Sequence, residues 1–157
     1  IKFRFHDNLA IADTAFEAFG SSENELFENA ATALFEEMVD TTKVSAKVKK
    51  KIKLENANLE NLLYDFLSEL IYVKDVEGVV FGKFKVKIRK AVAGKTAKPK
   101  GKKETKKESY VLHADCSGEK IDYSEREFRN DVKAVTLHLF KIEKTKKGYK
   151  VTVVLDI

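Results

Sequence analysis

Ser22-Glu23-Asn24-Glu25-Leu26-Phe27-Glu28-Asn29-Ala30-Ala31-Thr32-Ala33-Leu34-Phe35-Glu36-Glu37-Met38-Val39 decides how the rest of the chain is read. Ser22 and Glu25 stand at the capping-box spacing, in which hydroxyl and carboxylate each satisfy a free backbone N–H of a first helical turn. Leu26, Phe27, Ala30, Ala31, Leu34, Phe35 and Met38 then recur at three- and four-residue steps, which predicts a helix to about Val39 with one face buried. A second stripe of Leu59, Leu62, Leu63, Phe66, Leu67, Leu70 and Ile71 follows Asn58 as cap and is closed off by Asp75 and Gly78.

Around these helices the apolar period drops to two and β-branched residues become common, the pattern of half-buried strands. Ile1 to Asp7 alternates in this way, as do Val44, Ala46, Val48, Ile52 and Leu54 against lysines. Phe84, Val86 and Ile88 alternate with Lys83, Lys85 and Lys87, and Tyr110, Leu112 and Ala114 mark a further strand. The last two strands, 131–143 and 149–157, are joined by Lys144-Thr145-Lys146-Lys147-Gly148, a hairpin signal. Strand, helix, strand, helix and then a series of strands predicts an α+β fold, two helices packed on a mixed, largely antiparallel β-sheet.

A chain of 157 residues with 43% hydrophobic content is expected to form one domain over residues 1–157. No apolar run approaches the roughly 20 residues needed to cross a bilayer, and the first residues lack the long apolar stretch of a secretory signal. A soluble, cytoplasmic protein with no membrane partner is expected. The single cysteine, Cys116, excludes an internal disulfide, and no CxxC or Cys/His cluster is present for zinc or iron–sulfur chemistry. A metal would have to be held mainly through oxygen. The formal net charge of +5 is partly local: residues 95–107 hold seven lysines and no large apolar side chain, so they are expected to form a mobile loop with, at most, weak RNA contact.

Catalytic sets are not evident. His6, His113 and His138 accompany no GxSxG elbow or HExxH helix, and neither GxGxxG nor GxxxxGK[ST] follows a strand, which argues against a kinase or a nucleotide-driven motor. Cys116 reads as a packed small residue. The ending Val151-Thr152-Val153-Val154-Leu155-Asp156-Ile157 places the Asp156 carboxylate beside the main-chain oxygens of Ile157, a pair of anionic ligands or simply the end of a docked strand. Asp13, among small and apolar neighbours, reads as a turn former, and Lys133 as one more solvent-facing strand lysine.

Taken together, several segments resemble the archease family. Ala12-Asp13-Thr14-Ala15-Phe16-Glu17-Ala18-Phe19-Gly20 and the helical Glu28-Asn29-Ala30-Ala31-Thr32-Ala33-Leu34-Phe35 are similar to its N-terminal signature. Residues 59–72, Gly78-Val79-Val80-Phe81, Val132-Lys133-Ala134-Val135-Thr136-Leu137-His138 and Val154-Leu155-Asp156-Ile157 continue the likeness over nearly the whole chain. The resemblance implies a non-catalytic protein cofactor of the RtcB-type tRNA-splicing ligase, promoting guanylylation of the ligase and multiple turnover. It implies metal ligands at Asp13, Asp156 and the main-chain oxygen of Ile157, with Ca2+ as the ion, and a functional lysine at Lys133. Where the family commonly has His-Thr-Ala-Asp, this chain has Ala10-Ile11-Ala12-Asp13, so no role of that histidine carries over. The alternative that the same likeness allows is a chaperone or adaptor for another RNA-modifying enzyme, such as a tRNA methyltransferase. A metal-dependent hydrolase built on Asp13 and Asp156, and a plain RNA-binding module, are the rivals from other classes.

Overall fold

The computed structural model describes residues 1–6, 13–92, 108–124 and 127–157. Strands β1 (Phe3–His6) and β2 (Asp13–Gly20) precede helix α1 (Glu23–Glu36), a short 3-10 turn (Thr41–Lys43) and β3 (Val48–Asn56). Helix α2 (Leu59–Glu77) is followed by β4 (Val79–Val92), β5 (Glu108–Lys120), β6 (Ala134–Thr145) and β7 (Gly148–Asp156). The lysine-rich segment 95–107 and Ala10 lie outside the described residues.

Both helices begin at the predicted caps. The Glu25 N–H donates to Ser22 Oγ at 3.2 Å, while the Glu25 carboxylate accepts from Ser21 rather than from Ser22. The Asn61 N–H donates to Asn58 Oδ1 at 3.0 Å. Helix α2 ends on Gly78 at φ 65°, the left-handed position that a residue without Cβ adopts at no steric cost, and its N–H closes on the Lys74 carbonyl at 3.0 Å.

The α+β class stands, but the strands form two antiparallel sheets where the sequence pattern predicts a single mixed one. A four-stranded sheet has the order β1-β2-β7-β6, and a three-stranded sheet the order β3-β5-β4. Every pairing is antiparallel. Helix α1 packs on the four-stranded sheet through β2 and β7, and its flank runs along β4 of the other sheet. Helix α2 covers the three-stranded sheet and reaches β6. This double duty explains why α1 buries Asn29 and Ala33 as well as the predicted stripe, an arc of well over half its circumference.

The helices also cap the sheet edges, where unpaired N–H groups would otherwise invite association. Glu28 Oε2 accepts from the Val86 N–H and Asn24 Oδ1 from the Ile88 N–H, both at 2.9 Å, along β4. Glu60 Oε1 does the same for Ile142 on β6, also at 2.9 Å. Phe16, Phe27, Phe35, Phe66 and Phe81, all fully buried, anchor the core that the two sheets and both helices share.

Two expectations for the strands are corrected. Asp13 is no turn former: it opens β2, an inner strand of the four-stranded sheet. The strand 131–143 begins only at Ala134 and is interrupted, because the register with β7 jumps between Thr136 and Lys141. Within that bulge Leu139 takes φ 58°, a left-handed conformation unfavourable for a bulky residue.

Candidate functional site

The register of β2 on β7 sets Asp13, the first residue of one strand, directly opposite Asp156, the last of the other. Directly paired residues on antiparallel strands share a face, with Cβ atoms about 5 Å apart, and like charges placed there repel. Phe16, Ala18, Val151, Val153 and Leu155 belong to the core cluster, which places the two aspartates, at the opposite parity, on the sheet's outer face. Both are half-buried.

Lys133 reaches the same corner from the segment before β6. Its N–H donates to the Asp156 carbonyl at 2.8 Å, and Ala134 pairs with Asp156 across the ladder. The Lys133 side chain is exposed while the neighbouring Val132 is fully buried. Behind it stands Lys74, in the last turn of α2, whose side chain is 6% exposed and whose ammonium bonds the Val132 carbonyl and Asp131 Oδ1, each at 3.1 Å, and Asp75 Oδ1 at 2.8 Å. A buried lysine is tolerated only with such partners. The effect is local and mechanical: Lys74 holds one side of the Lys133 backbone and the Asp156 carbonyl holds the other. The sequence carried the signal for Lys74, since a charged residue falls on the apolar stripe one step after Leu70 and Ile71.

The donor set at this corner fits a hard divalent cation in kind: two carboxylates and nearby main-chain oxygens, with no sulfur and no imidazole in the row. Among the described residues no group of three or more His, Cys, Asp or Glu side chains is placed to hold a metal, so any ion here would draw its remaining ligands from main-chain oxygen, water or a partner. Ile157 is half-buried and packs against the core, which holds its main chain beside Asp156.

The remaining candidates are scattered. His6 Nε2 lies 3.3 Å from Glu17 Oε1 on the four-stranded sheet, His113 faces outward on β5, and His138 is exposed in the β6 bulge. Cys116 is 1% exposed, and burial, with the Asp115 charge adding to it, pushes its thiol pKa up to about 12, far from a nucleophile's range.

The model of the archease protein family matches residues 3–157. The chain belongs to the archease family. An archease of Pyrococcus furiosus is 40% identical over 137 residues, which cover 87% of this chain and 86% of the relative. That of Sulfurisphaera tokodaii is 37% identical over 156 residues, 99% of each protein. The solution structure of Methanobacterium thermoautotrophicum protein 1598 superposes with a TM-score of 0.73 at 31% identity, covering 99% of both chains. A crystal structure of a Thermotoga maritima archease, described as a possible chaperone, shares the fold with a TM-score of 0.57 at 23% identity over 97% of this chain and 98% of that one. No helix among the described residues of this archease is long and apolar enough to cross a membrane.

Proposed function

We propose that this archease is a protein cofactor of the RtcB-type tRNA-splicing ligase, promoting guanylylation of the ligase and repeated turnover in exon joining. The observation that supports it most is the pairing of Asp13 with Asp156 beside Lys133, since these are the positions at which the family likeness implies a metal site and a functional lysine.

In this reading Asp13, Asp156 and the main-chain oxygen of Ile157 hold Ca2+, which when bound neutralises the two facing carboxylates and ties the N-terminal strands to β7. Three protein groups leave coordination positions open, which suits calcium with its six to eight oxygens and permits a water or a group of the ligase to complete the shell. Lys133 offers a compact positive charge to the ligase or to a nucleotide phosphate. Its backbone is fixed by the Asp156 carbonyl and the Lys74 network, so little ordering entropy is lost on docking.

The test is guanylylation of a cognate ligase, with this protein omitted, added after stripping with chelator and desalting, or added after reloading with calcium. Stimulation by the reloaded protein alone supports the reading; a ligase indifferent to all three overturns it. The chaperone reading draws on Leu137 and Leu139, 68% and 59% exposed in the β6 bulge, and requires a tRNA methyltransferase or similar enzyme to co-purify with the protein.

A further inference from the structure

The outer face of the three-stranded sheet carries a grid of cations that the ligase reading does not use. Lys49, Lys51 and Lys53 on β3 stand opposite Ser117, Asp115 and His113 on the central strand, and these in turn stand opposite Lys83, Lys85 and Lys87 on β4. The six lysines therefore form two parallel rows, about 9.5 Å apart across two strand spacings and stepping about 6.7 Å along each strand. With Arg89, and against Glu55, Asp115 and Glu119, the residues of these three strands on this face carry an excess of four positive charges, beside a formal net charge of +5 for the whole chain.

All six lysines are exposed or partner only neutral groups. Lys49 Nζ bonds Ser117 Oγ at 3.0 Å, and among the described residues none of Lys51, Lys53, Lys83, Lys85 and Lys87 has a carboxylate within ion-pair distance. Ile52, Phe84, Val86 and Leu112 point into the core, and Val111, between Glu55 and Arg89, is the apolar residue that shares the lysine face in this stretch. Protein interfaces are depleted in lysine and built around aromatic anchors, neither of which describes this face. A regular polyanion is the partner that a flat field of ammonium groups fits, through counterion release on phosphate contact.

We propose that this face binds the sugar–phosphate backbone of RNA without reading its sequence. The choice of RNA among polyphosphates rests on the ligase reading. With no aromatic platform on the face to stack bases, the contacts fall on phosphates and position the strand rather than select it. The arrangement gives the molecule two working surfaces, an acidic corner on one sheet and a basic plate on the other.

The experiment is fluorescence anisotropy of a labelled tRNA transcript titrated with the full chain across a salt series. Each phosphate neutralised contributes a slope of about −0.7 to −0.9 in log K against log salt, so removing four lysines should flatten the slope by roughly 3. The variant Lys51→Ser/Lys53→Ser/Lys85→Ser/Lys87→Ser is expected to lose at least tenfold in affinity with an unchanged melting temperature. A second variant with the lysines of 95–107 replaced by serine separates this face from the neighbouring connection and is expected to keep the larger part of the slope. Wild-type affinity in the sheet variant, loss of the slope in the connection variant alone, no RNA binding by the wild type, or tighter binding to phosphatidylglycerol vesicles than to tRNA would each overturn the proposal. Guanylylation measured without RNA depends only on the ligase reading, and normal guanylylation by the sheet variant separates the two claims.

Discussion

The two sheets present opposite electrostatic problems on their outer faces. On the four-stranded sheet the register forces two carboxylates, Asp13 and Asp156, into direct opposition in a half-buried corner. On the three-stranded sheet the lysines of β3 and β4 are kept apart by the central strand and stay in solvent. Like charges on directly opposed residues repel, whereas ammonium groups stepping about 6.7 Å along a strand in water repel by only about 0.6 kcal/mol before salt screens them. The first arrangement therefore gains from a cation at a fixed point. The second persists unaided and attracts an extended anion. Concentration of charge by register, not the amount of it, separates a candidate ion site from a solvated face.

That contrast breaks most readily at the acidic corner. Calcium at about a hundred times its dissociation constant should stabilise the protein by about 2.7 kcal/mol, which for a chain of this size corresponds to a rise in melting temperature of several degrees by differential scanning fluorimetry. Asp13→Asn or Asp156→Asn is expected to abolish the calcium-dependent rise while raising the melting temperature in chelator, because one of two repelling charges is gone. A wild-type melting temperature indifferent to calcium would remove the distinction between the two faces.

The next largest effect is expected at Lys74. Lys74→Met leaves the buried Val132 carbonyl without its donor, a loss of about 1–3 kcal/mol, whereas Asp75 and Asp131 are exposed and return to water. Hydrogen exchange at the Lys133 amide should then accelerate at least tenfold relative to core amides of β7. Equal protection in both proteins would show that Lys133 is held without Lys74. Lys133→Gln itself, on an exposed side chain, should change stability by less than about 0.5 kcal/mol yet reduce ligase stimulation severalfold. The smallest effect belongs to Cys116: with its pKa raised to about 12 and its side chain buried, it should resist iodoacetamide at pH 8 and react only on unfolding.

Much of this was legible in the residues because local physics sets it. The capping residues Ser22 and Asn58, the helical stripes and the alternation of Phe84, Val86 and Ile88 with lysines each follow from short-range periodicity, and each element forms where expected. β2 escaped because Asp13, Ala15, Ala18 and Gly20 have little strand propensity; what makes Asp13–Gly20 a strand is its place between β1 and β7, a tertiary effect. The division into two sheets escaped for the same reason, since alternation shows which face is buried but not which strand lies beside which. The β6 bulge has no signature in Leu137-His138-Leu139-Phe140, where a β-strand pattern continues through the irregularity. Asp13 and Asp156 lie far apart in sequence, so their opposition required either the register or the family likeness, and the likeness supplied the residues while the register supplied the geometry.

The most direct measurement of the central claim is guanylylation of the ligase with wild-type protein, Asp13→Ala and Asp156→Ala side by side, each first shown to be folded. Strong stimulation by the wild type and none by either variant is the expected result. Full stimulation by both variants would contradict it.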